Sequence, residues 1–209
     1  MSEESQLSKG ERTRKAILGV AKDLFLTQGY TATSMRQIAQ AVGITPAAIY
    51  NHFAGKEEIF ISLLQEVAPF ERAFEVFEKT EADTPEDLLH QTVRGMVDLL
   101  QSHEDYIQLS LIDAQERDGA TIVTFVPKLY PHFMEFYQRL VMLDADQGQL
   151  RDISPFLFIR TLISLVGGYL ITERIAKPTE TLNLPEMDWV QGLVDVFMHG
   201  ILKAPEADS

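Results

Sequence analysis

The stretch TATSMRQIAQAVGITPAAIYNHF, residues 31–53, constrains the fold more than any other part of the chain. Ser34, followed three residues later by Gln37, is the pattern of a capping box that opens a short helix. Gly43 predicts the end of that helix, because glycine tolerates the left-handed backbone of a tight stop. Thr45 predicts the N-cap of a second helix. Two short helices joined by a turn that contains glycine form a helix-turn-helix.

The second helix, predicted over 46–52, has two different faces on a helical wheel. Proline suits its first position, where a missing N–H costs nothing. Four side chains fall together and are predicted to face inward: Pro46, Ile49, Tyr50 and Phe53. The predicted outer face consists of Ala47, Ala48, Asn51 and His52. A recognition helix presents its outer residues to base edges in the major groove, where alanine touches thymine methyls and asparagine hydrogen-bonds bases or phosphates.

Charge is distributed unevenly along the chain. The formal net charge is −13, but residues 9–56 carry seven lysines and arginines against Glu11 and Asp23, a local net charge of +5. Residues 57–209 carry eleven basic and twenty-seven acidic side chains, a net charge of −16. A small basic head on an acidic body favours DNA as the partner of the head. The alternatives are chance clustering of charge and an ordinary helical hairpin whose small residues merely pack.

The rest of the chain is predicted to be helical as well. Apolar residues recur at three- and four-residue spacing, and no hairpin signal flanked by alternating runs indicates a sheet. Pro69, Pro127 and Pro131 should kink or break the helices that contain them. We expect an all-α protein with a three-helix head, residues 9–56, and a larger helical body, residues 57–203. The predicted helices are 9–28, 35–42, 46–52, 57–78, 86–102, 104–117, 120–144, 156–176 and 186–202.

Composition and two local segments exclude several classes of protein. The chain has no cysteine, which excludes disulfide frameworks, cysteine nucleophiles and thiolate metal sites. The N-terminal segment MSEESQLSKGERTRK has no apolar stretch and does not indicate a signal peptide. Residues 155–172 are almost continuously apolar, but Arg160 near their middle and their short length predict a buried helix and no membrane span. We therefore expect a cytoplasmic protein.

The head resembles the tetracycline-repressor (TetR) family of bacterial transcription regulators. The resemblance runs from about Arg12 to Phe60 and rests on Gly29-Tyr30, Thr33-Ser34, Ile38-Ala39, Gly43, Ile49-Tyr50, His52-Phe53 and Lys56-Glu57. It implies that Tyr50 and Lys56 bind phosphate and that His52 lies near the DNA backbone. It also implies that Thr45 and residues 46–48 touch DNA. The whole predicted DNA-binding set is Arg12, Ser34, Arg36, Thr45, Pro46, Ala47, Ala48, Tyr50, Asn51, His52 and Lys56.

Two positions in this set depart from the family pattern. Pro46 stands where other members have lysine, which removes one possible phosphate contact. Ala47 stands where many members have glycine.

Beyond residue 60 the resemblance implies only an architecture. Such proteins are all-helical homodimers whose variable body binds a small molecule and dimerises through its last two long helices. Two-fold symmetry then implies a roughly palindromic operator of double-stranded DNA. An apolar stripe with four-residue spacing and a pair of glycines indicate the interface, although both stripes could instead face the core of the protomer. The predicted interface residues are Leu165, Gly167, Gly168, Trp189, Leu193, Phe197 and Ile201.

Aromatic side chains of the body are candidates to line an apolar pocket, the alternative being an ordinary core. Many of them fall at 70–77 and 125–137, on segments that prolines interrupt, and such interruptions leave room between helices. Arg94, Asp113 and Arg160 could pair with each other or with an anionic ligand group, or form structural ion pairs. We expect a small apolar or aromatic effector. The predicted ligand-binding residues are Phe70, Phe74, Phe77, Arg94, Tyr106, Phe125, Tyr130, Phe133, Tyr137 and Arg160.

No pattern in the sequence indicates catalysis, a cofactor or a metal site. The five histidines show no HExxH or His-x-His spacing, and there is neither a G-x-S-x-G elbow nor a phosphate-binding glycine loop. The predicted function is a ligand-responsive DNA-binding transcriptional regulator, a repressor that a small apolar molecule releases from its operator. The alternative is a helical small-molecule-binding or protein-interaction module without DNA binding.

Overall fold

The computed structural model describes residues 8–146, 148–176 and 188–201, and the elements within these ranges are helices. Two short 3-10 helices lie at Ala48–Asn51 and Ile122–Phe125. The all-α prediction is confirmed. The α-helices are α1 (Lys9–Ala32), α2 (Met35–Val42), α3 (Lys56–Val67), α4 (Phe70–Lys79), α5 (Pro85–Gln101), α6 (Glu104–Glu116), α7 (Val126–Leu143), α8 (Pro155–Ala176) and α9 (Trp189–Ile201).

α1 begins at a capping box and bends near its end. The Ser8 hydroxyl accepts the Glu11 N–H, and the Glu11 carboxylate accepts the Ser8 N–H. Gly29 has φ +84°, a left-handed value that favours glycine, and the helix resumes after it as far as Ala32. This is why α1 extends beyond the predicted end at residue 28.

Prolines act differently at the three positions where the sequence places them. Pro69 separates α3 from α4, because Ala68 before it is extended (φ −70°, ψ 125°) as the proline ring requires. The helix predicted over 57–78 is therefore two helices. Pro127 lies in the first turn of α7, and Pro131 lies inside α7, which continues through it. Of the kink or break expected at Pro131, the break does not occur, because packing of an apolar face stabilises a helix beyond one missing hydrogen bond.

The chain forms two compact units. Unit 1 comprises residues up to Ala68 together with His103–Val126, and unit 2 comprises Pro69–Ser102 together with the described residues from Pro127 onward. In unit 1, α1 packs against α2, α3 and α6. In unit 2, α5 packs against α4, α8 and α9. The boundary predicted between residues 56 and 57 does not coincide with an edge of either unit.

Each unit has an aromatic core. In unit 1 the ring of Phe25 lies 5.2 Å from that of Phe60, centroid to centroid, and both side chains are fully buried. In unit 2 Phe136 and Phe158 are buried, and the Phe158 ring lies 5.5 Å from that of Phe197. Burial of each such ring contributes about 1.5–3 kcal/mol, so these clusters dominate the packing of their helices.

α8 is more exposed than its composition suggests. Its segment Pro155–Arg174 is long and apolar enough to cross a membrane by length and composition, and only 28% of that window is buried. Within the single chain the predicted burial of this helix is therefore only partial. The large apolar side chains exposed on α8 are Phe156, Leu157, Ile163 and Ile171. An apolar face of this kind is normally covered by other protein or by lipid.

Candidate nucleic-acid interface

α2 starts and stops as its sequence predicts. The Ser34 hydroxyl accepts the Gln37 N–H at 3.2 Å, and the Gln37 side-chain oxygen accepts the Ser34 N–H at 2.8 Å. Gly43 ends the helix in the left-handed region, with φ 80° and ψ 28°. Ile38 is fully buried while Arg36 is exposed, so α2 is anchored on one side and presents a cation on the other.

The second helix of the motif is tighter than predicted. Residues Ala48–Asn51 form a 3-10 helix where the sequence predicts an α-helix over 46–52. Thr45 begins this turn, since its hydroxyl and its carbonyl oxygen accept the Ala48 N–H at 3.1 and 2.9 Å. So short a segment closes readily with hydrogen bonds three residues apart. Ile49 and Phe53 are buried and pack this turn against the rest of unit 1.

Pro46 and Tyr50 lie on the solvent side of this turn and not on its inner face. Tyr50 is 56% exposed, and Pro46 is exposed as well. The inward prediction for these two residues is wrong, because Tyr50 belongs to a 3-10 helix, to which the wheel of an α-helix does not apply, and Pro46 lies in the turn before that helix. Exposure of the Tyr50 phenol suits the phosphate contact that the family resemblance implies.

The predicted DNA-facing surface is accessible almost throughout. Ala48 and His52 are half-buried, and the Ser34 hydroxyl is engaged in the α2 cap. Small methyl groups at the centre of this surface permit close approach of the backbone to base edges, and the phenol, amide and guanidinium groups around them can bind phosphates or bases. The exposed members are Arg12, Ser34, Arg36, Thr45, Pro46, Ala47, Tyr50 and Asn51.

Lys56 is a brace within unit 1 in this structure. Its Nζ donates to the carbonyl oxygens of Tyr30 and Thr33 at 2.6 and 2.7 Å, and it lies 4.1 Å from the centre of the Tyr30 ring. Partial burial lowers the pKa of Lys56. Two of the three ammonium protons therefore tie the start of α3 to the end of α1, which leaves one for a phosphate.

Arg14 is a residue of this surface that the sequence analysis missed. Its guanidinium donates to the His52 carbonyl oxygen at 2.8 Å and to the Ser62 hydroxyl at 3.1 Å, and it lies 3.9 Å from the centre of the Phe53 ring. It thus fixes the end of the second helix to α1. The signal was available, because Arg14 is spaced three and seven residues from the buried Ile17 and Ala21 and so shares their face.

The end of α6 also holds the helix-turn-helix in place. The Glu116 carboxylate accepts the Thr31 N–H at 2.6 Å, which lowers the pKa of Glu116. A Cβ atom at Gly29 would stand 2.5 Å from Glu116 Oε1, so a side chain at this position would displace the Glu116 carboxylate. The Arg117 guanidinium lies 4.5 Å from the centre of the Tyr30 ring. The end of α6 therefore contacts the last turn of α1, which immediately precedes α2.

Asp113 is the buried anchor of this arrangement. Its side chain is fully buried, accepts the Arg117 Nε–H at 3.0 Å and accepts the N–H groups of Thr121 and Ile122 at 3.0 Å each. The sequence analysis offered Asp113 as a partner of Arg94 or Arg160. It forms a structural ion pair with Arg117, four residues further on, at the C-cap of α6.

The predicted ligand-binding residues are divided between the two units. Tyr106 and the fully buried Phe125 belong to unit 1. In unit 2 Phe74 stacks on His132 with ring centres 3.7 Å apart, and Phe77 contacts Phe133 with ring centres 5.0 Å apart. Phe70 stacks on Phe74 in turn, at 6.4 Å.

The remaining ligand candidates lie at the surface or against their own unit. Tyr137 donates to the Ile153 carbonyl oxygen at 2.8 Å. Tyr130, 38% exposed, stacks on Phe156 with ring centres 5.6 Å apart. Arg94 forms an ion pair with Asp188, and Arg160 is exposed.

Unit 2 has two concave features, a small cavity and an open groove. A cavity of about 20 Å³ beside Tyr137 and Phe158 is large enough for a single water molecule. An open groove of about 460 Å³ lies along α4 and α5 and contains none of the predicted ligand-binding residues. Of the predicted ligand-binding residues, Tyr137 alone lines either of these two features.

The predicted interface residues fall into two groups. Phe197 and Ile201 are buried inside the protomer, which matches the alternative that this stripe faces the protomer's own core. Trp189, Leu193 and Leu165 are half-buried. Gly167 is half-buried and Gly168 exposed on α8, and a Cβ atom at either position would meet nothing within 4 Å. The exposed side of α9 carries Val196, which is 74% exposed.

Comparison with known proteins agrees with this geometry. The family model of bacterial regulatory proteins of the tetR family matches residues 17–63. The chain is 29% identical to AcnR, a transcriptional repressor of Corynebacterium glutamicum, across 89% of this chain and 94% of that protein. It is 24% identical to YvkB, a transcriptional regulator of Bacillus subtilis, across 90% of this chain and 97% of that protein.

A solved structure extends the likeness to the whole fold. NalD, the secondary repressor of the MexAB-OprM multidrug efflux pump in Pseudomonas aeruginosa, superposes with a TM-score of 0.60 at 26% identity, over 92% of this chain and 97% of NalD. The matched family model contains the whole helix-turn-helix described above. Regulators of this family bind operator DNA, act as dimers and are not enzymes. Residues 17–63 form a DNA-binding domain of the TetR family of bacterial regulatory proteins, and the chain is a DNA-binding transcriptional regulator.

Proposed function

We propose that this regulator is a cytoplasmic repressor that binds a roughly palindromic operator as a homodimer and leaves it when a small apolar molecule binds unit 2. The observation that carries the proposal is the solvent-facing surface of the second helix, with Ala47 at its centre and Tyr50 at its edge. Repressors among the relatives, such as AcnR and NalD, support repression as the direction of control.

Specificity in this proposal comes from the outer face of the second helix. Ala47 and Ala48 contact thymine methyls, Asn51 reads a base edge or a phosphate, and the Tyr50 hydroxyl donates to a phosphate. The guanidinium groups of Arg12 and Arg36 supply charge that does not depend on sequence.

A fluorescence anisotropy titration of the full chain tests this function. Labelled fragments from the region upstream of its own gene are compared with scrambled DNA of equal length. Contact with six or more phosphates per dimer lowers affinity by roughly 10³-fold between 50 and 200 mM salt. The proposal is contradicted if DNA affinity is the same at 50 and 200 mM salt and the same for the upstream and scrambled fragments.

The dimer that we propose covers the exposed face of α8. Phe156, Leu157, Ile163 and Ile171 leave an apolar surface on this helix, and Gly168 provides a place where a second helix can approach closely. Two-fold pairing through this face removes apolar area from water in both copies. Binding to a palindromic operator further requires the two heads to lie about 34–36 Å apart, the spacing of successive major grooves on one side of DNA.

Gly168→Trp should convert the dimer to monomers. A Cβ atom at this position meets nothing within 4 Å among the described residues of the protomer, whereas an indole ring there blocks the close approach of a second helix. The chain should then sediment as a monomer at micromolar concentration and lose operator binding. Met142→Trp, which adds the same ring at a 72% exposed position on α7, is the matched control and should remain dimeric. A dimer that persists in Gly168→Trp places the interface elsewhere.

The effector site that we propose lies in the aromatic cluster of α4 and α7. Phe74, His132 and Phe133 lie on these two helices beside the buried Phe77. An apolar ligand would enter by parting rings that now stack on each other. Three chain crossings join unit 2 to unit 1, at residues 68–69, 102–103 and 126–127, and two of them are the ends of the segment that carries α6. Movement in unit 2 thus reaches the Glu116–Thr31 contact through the chain itself.

Reciprocity provides the test for an effector. A ligand that weakens operator binding tenfold must bind tenfold less well to the DNA complex, a coupling of about 1.4 kcal/mol. Hydrophobic compounds that raise the melting temperature of the chain are titrated with and without operator. Phe74→Ala should weaken such a ligand, whereas Val123→Ala, a 63% exposed position in unit 1, should not. A compound that binds the chain equally well with and without operator DNA is not the inducer.

A further inference from the structure

Three side chains that could ligate a metal meet on the surface of unit 2. Glu86 and His90 lie four residues apart on α5 and so share one face of that helix. Asp195 reaches them from α9. His90 Nε2 lies 3.1 Å from Asp195 Oδ1 and 3.9 Å from Glu86 Oε1, and one ligand atom from each residue lies within 4.8 Å of the others.

These distances fit a tetrahedral zinc ion. Zinc bonds to histidine nitrogen and carboxylate oxygen of about 2.0–2.2 Å place neighbouring ligand atoms about 3.2–3.6 Å apart. Two of the three ligand pairs, at 3.1 and 3.9 Å, bracket that range. The largest separation within the cluster, at most 4.8 Å, involves the exposed and adjustable side chain of Glu86.

Gln191 supplies a fourth group at the same place. Its amide Nε2 lies 3.0 Å from His90 Nε2 and 3.2 Å from Asp195 Oδ1. The nitrogen and oxygen of a glutamine amide exchange places when the group turns over. Turned over, Gln191 presents its carbonyl oxygen at a distance suited to the fourth corner of the tetrahedron, which a water molecule could also fill.

The charge of the cluster and the orientation of the His90 ring also suit a divalent cation. Within the described ranges, the ion pairs of Glu86 and Asp195 are formed with His90 alone. The nearby Arg94, one turn further along α5, forms its ion pair with Asp188. The His90 side chain is only 14% exposed and its Nδ1 is buried with no hydrogen-bond partner among the described residues, so the ring directs Nε2 toward the two carboxylates. A dication there would be balanced by two negative charges.

We propose that Glu86, His90 and Asp195 form a zinc site that fixes α9 to α5. Imidazole favours zinc over magnesium and calcium, which prefer oxygen ligands alone. The spacing of histidines along the chain does not reveal this site, because one helix supplies only two of the ligands and the third comes from the end of the chain. The proposal goes beyond DNA regulation and does not depend on it, since its test uses no DNA.

Isothermal titration of the metal-free full chain with zinc chloride tests the site. The wild-type chain should take up one zinc ion, and its melting temperature should rise with zinc. His90→Gln should abolish both effects, and Asp195→Asn should weaken uptake at least tenfold. His132→Gln is the matched control, because His132 also meets a carboxylate, that of Glu78 at 2.7 Å, but only one. It should bind zinc as the wild type does.

Cobalt substitution separates this site from loose binding at the surface. Cobalt in a tetrahedral site of one nitrogen and three oxygen ligands gives strong visible absorption, which octahedral surface binding does not. Glu86→Gln, at an exposed position, carries the test if His90→Gln does not fold. The proposal is overturned if the wild-type chain binds no zinc, if it binds equally to wild type and His90→Gln, or if the cobalt spectrum is octahedral.

Discussion

Ala47→Glu is expected to abolish specific binding to the operator. Ala47 is exposed at the start of the second helix, where the proposed complex brings it against base edges between two rows of phosphates. A carboxylate there meets like charge, which costs several kcal/mol, and about 1.4 kcal/mol corresponds to a tenfold change in affinity. We therefore expect affinity to fall by roughly 100-fold or more in the anisotropy titration.

Ala114→Glu is the matched control for this result. It makes the same change at an exposed position of unit 1, on α6 and outside the helix-turn-helix. Its operator affinity should stay within a few-fold of wild type, and both variants should melt at the wild-type temperature. Wild-type affinity in Ala47→Glu, or an equal loss in both variants, would remove the second helix from the DNA interface.

Asp113→Ala should destabilise the protein by about 3–5 kcal/mol, because it breaks a buried ion pair and leaves Arg117 only the exposed Glu57, at 3.1 Å, as a counter-charge. Asp113 is fully buried, and its partner Arg117 is 7% exposed. The substitution also removes the acceptor of the Thr121 and Ile122 N–H groups. Urea unfolding monitored by circular dichroism measures the loss of stability.

Asp105→Ala controls for the removal of an acidic residue from the same helix. Asp105 pairs with Lys22 at 2.6 Å, but the two side chains are 42% and 32% exposed. A solvent-exposed pair contributes about 0–1 kcal/mol, so this variant should unfold close to wild type. If the two variants lose the same stability, Asp113 is not the anchor of α6 that the structure indicates.

Local signals in the sequence determined the helix-turn-helix and the all-α class. The Ser34–Gln37 capping box, the left-handed Gly43 and the Thr45 cap are interactions among residues at most a few positions apart. Such interactions form in the same way in any surrounding, so their sequence pattern is a reliable guide. The break at Pro69 has the same origin, since the proline ring restricts the residue before it.

The tertiary structure decided which helices pack together and which side chains are free. Packing places α6 with the DNA-binding unit, turns Lys56 and Arg14 into braces, and buries Phe197 while leaving the apolar face of α8 exposed. These outcomes depend on contacts between residues far apart in the chain, and helical periodicity shows only that a face is apolar, not what covers it. The meeting of Glu86 and His90 with Asp195 is of the same kind, because only packing of α9 on α5 brings together ligands that are distant in sequence.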